Sequence, residues 1–351
     1  MWYFRYAGHY LKGSRFGKIA KFQDALSIEL TTWEKPPVTP DGIYGKKTRD
    51  GIVTLCDLAD FSELKVPETD SQFGAITFDL WDRLMTTVPA PTVHERAFVI
   101  SLSHEGTDYD HTEWNFGTSD QESVLTWGPY GATVGYGREV QGVLHRVFET
   151  DDQILKQAFG SEFTVLEQLL DGEDGESLLD PVHQDVTRRK NWLEAFGTLG
   201  GESIVREEYE AYAFTTDEWL RPPIRRLYEK LIPNPAETST AVDYGFFLDL
   251  AMHMSITEKR VTNTYEAIVS KELQIGRPLT AAERRRVISE TMIPSKQKED
   301  RLGRNVVFFV DDVGEEALTP EESSAWKQRT GRRASDCGLT DEVQFYPEFL
   351  S

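Results

Sequence analysis

Glu105 stands at the end of an apolar-faced stretch, "TVHERAFVISLSHEG", immediately before Gly106. At the C-terminal end of a helix the backbone dipole disfavours a carboxylate. In apolar surroundings its pKa would rise, because burial penalises the charged form. A carboxyl that keeps its proton near neutral pH is suited to general acid catalysis. The plainer alternative is a solvated helix end. Beyond Gly106 the chain is polar and then dense in glycine, threonine and aromatic residues, ending in "GPYGATVGYG" at 128–137. These β-formers and glycines predict a hairpin or small sheet over Gly117–Gly137.

The helix that would hold Glu105 is well signalled. Thr92 is a candidate N-cap, and Glu95 three residues later completes a capping box. Val93, Ala97, Phe98 and Ile100 give it an apolar face, and Gly106 stops it. Just upstream, two prolines in "TTVPAPTVHE" mark a boundary between residues 1–90 and 91–351. The first segment predicts three helices: "GKIAKFQDALSIELTTW", a run from Thr48, and Phe73–Met85. Beyond Glu139 the pattern is mostly helical, with "NVVFFVDDV" a strand or a buried turn. The fold expected is mainly α, a small three-helix domain followed by a larger α+β domain with one hairpin and many helices.

Within the first segment, Gln23, Leu26, Asp41, Gly42, Ile43, Tyr44, Gly45, Thr48 and Ile52 match a helix, a "DGxxG" turn and a second helix. This pattern resembles the small three-helix peptidoglycan-binding domain of cell-wall hydrolases. Asp41 and Gly42 form a tight turn in which glycine takes positive φ. Ile43 is expected to point inward and Thr48 to cap the next helix. The resemblance implies glycan contacts near Asp41 and Tyr44.

A helix ending in Glu-Gly, a polar hairpin, then Thr-x-Gly-x-Gly and many helices resembles the lysozyme-like superfamily of glycoside hydrolases. The matching residues are Glu105, Gly106, Thr133, Gly135 and Gly137. The resemblance implies that Glu105 protonates the glycosidic oxygen and that the hairpin lines the cleft. The later helices are similar to those of the helical chitosanases, with Phe247, Asp249 and His253 expected as packing and supporting residues. An inverting enzyme also needs a carboxylate base roughly 6.5–9.5 Å from the acid. Asp120 and Glu122 are the candidates, sharing a face by strand alternation, with Thr126 or Thr133 holding the water. Asp108, Asp110 and Glu113 are less suited, being close to the helix end in sequence. Trp114, Trp127, Tyr130 and Tyr136 could stack on sugar rings, and Asn115 and Gln141 could hydrogen-bond them.

Charge bounds the partners. The net charge of the 351 residues is -21. Residues 1–90 hold 11 basic and 12 acidic side chains, so residues 91–351 hold 27 and 47. That field argues against nucleic acid and would favour a cationic substrate. Cys56 and Cys337 form no disulfide framework and no metal spacing. No cofactor is implied, and no apolar run reaches the roughly 18 residues of a membrane span. The first residues lack the pattern of a secretory signal peptide. The expected activity is therefore a muramidase, cleaving β-1,4 bonds of peptidoglycan by acid/base chemistry with inversion. It would be made in the cytoplasm and released to the wall by a holin or a secretion machine, in the latter case with an immunity protein as partner. The alternatives are a chitosanase, a lytic transglycosylase and a non-catalytic wall-binding protein.

Overall fold

The computed structural model describes residues 1–105, 107–116, 123–135, 137–172, 174–293, 298–329 and 331–350, without the side chains of Glu105 and of residues 298–300. Helix accounts for 63% of the chain and strand for 7%, so the protein is mainly α. It divides into two compact units, residues 1–106 with 223–351, and residues 107–222. Residues 1–90 lie wholly in the first of these.

The first unit opens with β1 (Trp2–Phe4), β2 (Leu11–Lys12), α1 (Lys18–Thr32), β3 (Ile43–Tyr44), α2 (Lys46–Cys56), β4 (Ile76–Thr77), α3 (Phe78–Leu84) and α4 (Val93–Glu105). Strands β1 and β4 pair antiparallel, as do β2 and β3. In α1, Ile19, Phe22, Leu26 and Leu30 recur at helical spacing and are all buried. Gln23 shares that buried face because its amide is satisfied. Its Nε2 lies 3.0 Å from each of Asp41 Oδ1, Ile43 O and Thr48 Oγ1. Its Oε1 accepts the Gly42 N–H at 2.8 Å. Gly42 has φ +74°, and a Cβ there would stand 2.6 Å from Arg15 Cα.

Three expectations for this segment are corrected. Ile43 is 36% exposed, whereas Tyr44 is fully buried and donates its hydroxyl to Gly74 O. Successive residues of a strand face opposite sides, so only one of the pair can point inward. Thr48 lies inside α2 and is not its cap; Gly45 occupies the cap position. The third helix begins at Phe78, not Phe73, because Ile76 and Thr77 are paired in β4.

Helix α4 starts with the expected capping box. The Thr92 N–H donates to Glu95 Oε2 at 2.7 Å, and the Glu95 N–H donates to Thr92 Oγ1 at 3.2 Å.

The second unit holds β5 (Thr112–Trp114), β6 (Ser123–Trp127), β7 (Ala132–Gly135), α5 (Glu139–Phe159), α6 (Phe163–Leu170), α7 (Gly175–Gln184), α8 (Val186–Gly201) and α9 (Ser203–Thr215). The strands form one antiparallel sheet in sequence order. The predicted hairpin thus gains a third strand from residues 112–114. The acidic loop before α7 supplies a cap, Asp174 Oδ2 accepting the Ser177 N–H at 2.9 Å.

The chain returns to the first unit through α10 (Arg221–Leu231), α11 (Pro235–Thr238), α12 (Ala241–His253), α13 (Glu258–Ile275), α14 (Ala281–Met292), α15 (Lys298–Val306), α16 (Val310–Val313) and α17 (Pro320–Arg329). Every residue of α12 from Ala241 to Leu250 is buried, which makes it the central helix of this unit. It packs on α4. Residues 307–309 form a buried turn between α15 and α16, the second of the two expected forms. Buried Arg285 links α14 to Asp243 at 2.7 Å and to Asp341 at 2.6 Å. The C-terminal segment is thereby fixed to the N-terminus of α12.

Candidate functional site on the sheet and at the end of helix α4

Register decides which side chains of the sheet act together. Glu113 is opposite Thr126, and Thr126 is opposite Thr133. Directly opposed residues share a face, so these three form one polar row. The other face is set by the rows Trp114–Leu125–Val134 and Thr112–Trp127–Ala132. There Leu125, Trp127, Ala132 and Val134 are completely buried. On the polar face, Asn115 Nδ2 donates to Thr126 Oγ1 at 2.7 Å and to Ser123 Oγ at 3.0 Å. The amide expected to reach for sugar is therefore engaged within the sheet.

Thr133 ends this row on a carboxylate that residue types and spacing did not single out. Its Oγ1 donates to Glu139 Oε2 at 2.6 Å, and its N–H donates to the same oxygen at 3.1 Å. Glu139 is the first residue of α5, and Arg138 before it adopts φ +56°. That left-handed residue, uncommon outside glycine, turns the chain so that the Glu139 side chain folds back. It lies over Gly137, where a Cβ would come 1.7 Å from Glu139 Oε1. The spacing of a Glu two residues beyond Thr-x-Gly-x-Gly was the available signal, but the backbone turn that makes it meaningful is not visible in residue types.

The proposed sugar-stacking aromatics fall into two groups. Trp127 donates its Nε1–H to Tyr109 O at 2.8 Å, and its own carbonyl accepts the Tyr209 hydroxyl at 2.9 Å. Tyr130 is buried with its hydroxyl on Glu210, at 2.8 and 3.0 Å from the two oxygens. Both rings are core, because they alternate onto or turn toward the apolar side of the sheet. Trp114 is half-buried among Phe116, His183 and Trp192, with centroids 6.1, 5.6 and 6.3 Å away. Gln141 is buried on α5, and its Oε1 has no hydrogen-bond partner among the described residues. Asp120, Glu122 and Tyr136 lie outside the described residues. In the first unit Asp41 is exposed and holds its turn through the Ile43 N–H at 2.9 Å, while Tyr44 presents nothing to a ligand.

Glu105 is the last residue of α4, and its side chain is not among those described. What fixes this helix end is a buried polar cluster. Ser101, one turn earlier, donates its hydroxyl to Asp249 Oδ1 at 3.0 Å. Arg304 donates to the same carboxylate at 2.6 and 3.2 Å. His253 Nε2 stands 3.8 Å away. Burial by itself would push the Asp249 carboxyl up, but Arg304 and His253 outweigh it and hold it well below the usual carboxylate range. Next to Glu105, His104 is held neutral, first by burial and then by Arg304. Arg332 donates to Ser103 O at 2.9 Å, satisfying a carbonyl of the last turn. Asp249 thus ties α12 to α4 and α15, and Phe247 is core.

Among the described residues no three His, Cys, Asp or Glu side chains are grouped to hold a metal ion. Among them, too, no helix is long and apolar enough to cross a membrane. Compared with known proteins, the chain matches no family model, no curated protein and no solved structure.

Proposed function

We propose that this chain is a glycoside hydrolase that cleaves the β-1,4-linked glycan strand of peptidoglycan, with Glu105 protonating the leaving glycosidic oxygen. The observation that carries the reading is the order of parts around that residue. A helix with its last turn braced by Ser101, Asp249 and Arg304 ends on Glu105. The chain then enters a sheet whose polar row is Glu113, Thr126 and Thr133. Rigid support of this kind is what a general acid requires, since small misplacements of a catalytic group cost large factors in rate. The "DGIYG" turn, organised by Gln23, supports peptidoglycan as the polymer on which the chain is retained. Action would be at the wall after release from the cytoplasm, with an immunity protein where the producer is itself at risk.

A chitosanase is the second reading, favoured by charge. Residues 91–351 carry 47 acidic and 27 basic side chains, and such a field attracts a polycation. Digesting purified sacculi and chitosan side by side, with new reducing ends counted, separates the two. Release from sacculi alone supports the muramidase, and release from chitosan alone supports the alternative. No release from either leaves a wall-binding protein.

A further inference from the structure

The negative charge of the chain belongs mostly to one unit. Residues 107–222 hold 24 acidic and 8 basic side chains, a net of -16. The rest of the chain therefore holds 35 and 30, a net of -5. A field concentrated in this way draws cations toward the second unit. The field alone does not say where a partner would sit. A groove of about 390 Å³ between α5 and α6 marks the place. Phe148 and Leu170 are its apolar lining, with His145, Glu167, Gln168 and Asp171 around them. The groove arises from a break in α5. Asp151 leaves helical geometry (φ -156°, ψ 93°), and the chain returns to set Phe163 against Phe148, ring centroids 6.4 Å apart.

The ring beside the groove shows how this surface holds a cation. Lys156 Nζ stands 5.7 Å from the centroid of Phe163 and is ion-paired with Asp152. An aromatic face and a carboxylate thus share one ammonium group. Phe148 repeats the ring, and Glu167 and Asp171 repeat the carboxylate. Among the described residues, no cation lies over Phe148 and none pairs with either acid. His145 is engaged with Glu149, its Nδ1 3.5 Å from Oε1.

We propose that this groove docks an arginine side chain carried on a basic segment of a protein partner. The guanidinium is planar, so it stacks on an aromatic face and still offers N–H donors in its own plane to carboxylates. Glu167 and Asp171 are four residues apart at the end of α6, on one side of it. A lysine would supply the charge without the flat fit. Net charge brings the segment in, and Phe148 with the two acids fixes where it binds. The docking site uses neither Glu105 nor the sheet, so it stands apart from the glycosidase reading.

The test titrates the full chain into fluorescent hexa-arginine and hexalysine peptides, read by anisotropy, with glucosamine hexamer as competitor. The variants are Phe148→Leu and the pair Glu167→Gln with Asp171→Asn. A control pair, Glu202→Gln with Glu207→Gln, removes equal charge from exposed positions of the same unit. Thermal melts accompany each variant. Glu167 and Asp171 are exposed, so their variant tests the proposal even where Phe148→Leu fails to fold. The wild type should bind hexa-arginine more tightly than hexalysine. Loss of the two groove acids should weaken hexa-arginine binding about tenfold. Phe148→Leu should weaken it about fivefold and hexalysine binding less, because the ring favours guanidinium. The control pair should change it less than about twofold, its charges being screened from the groove. Equal losses from the groove pair and the control pair, or equal affinity of the wild type for the two peptides, overturn the proposal and leave only a diffuse field. Failure of the wild type to bind either peptide overturns it as well. Displacement of hexa-arginine by an equal concentration of glucosamine hexamer also overturns it, and makes the groove an amino-sugar site.

Discussion

Asp249 takes the guanidinium of Arg304 at 2.6 Å and the hydroxyl of Ser101 at 3.0 Å on one oxygen, Oδ1. Three helices, α4, α12 and α15, are joined at that atom. Removing the carboxylate breaks a buried ion pair with Arg304, which typically costs about 3–5 kcal/mol. Asp249→Ala is expected to lose stability on that scale in urea unfolding, whereas a surface acid such as Glu149→Ala should change little. Stability should also depend on pH in a definite sense. Asp249 has a depressed pKa in the folded chain, so its contribution is present above its unfolded value of about 3.9 and is lost as pH falls below it. Wild-type unfolding free energy should therefore drop between about pH 4 and pH 2. Asp249→Asn should show a shallower drop.

A pair of adjacent glycines in α8 gives a sharper steric test. A Cβ on Gly200 would stand 2.2 Å from Tyr109 O and 2.5 Å from Asp110 N, both backbone atoms that cannot rotate away. On Gly201 it would meet nothing within 4 Å. Gly200→Ala should destabilise by about 1–3 kcal/mol through overpacking. Gly201→Ala should leave the melting temperature unchanged or raise it slightly, since a compatible Gly→Ala change restricts the unfolded chain by roughly 0.4–1 kcal/mol. Equal effects from the two would contradict the packing described.

In the N-terminal segment, Gln23 links α1 to the turn at Asp41–Gly42 and to α2. Gln23→Ala leaves buried groups without partners, at about 1–3 kcal/mol. A measurable fall in melting temperature is expected, and with it weaker retention on purified sacculi in a pull-down. A variant that melts like wild type would show that the turn is held by other contacts.

These relationships were unequally legible in the residue types. The capping box of Thr92 and Glu95, the apolar spacing of α1 and the sheet after Glu105 all obey local rules, and the structure has them. The short strands β1 to β4 were not readable, because two or three residues carry no period. Ile43 and Tyr44 are both apolar enough to point inward, and only the pairing of β3 with β2 decides between them. Trp127 and Tyr130 looked like sugar platforms because composition does not report which face of a sheet is covered. Glu139 was missed for a different reason. Its contact with Thr133 depends on the positive φ of Arg138, a conformation that an arginine does not advertise.

The central claim concerns bond cleavage by one carboxyl group, and digestion of sacculi in water enriched in heavy oxygen addresses it most directly. Mass spectrometry of the released muropeptides should find one heavy oxygen at each new reducing end with the wild type. Folded Glu105→Gln should release essentially none. Intact sacculi after wild-type treatment, or equal release by Glu105→Gln, would contradict the account. Anhydro ends without label would replace hydrolysis by a transglycosylase reaction.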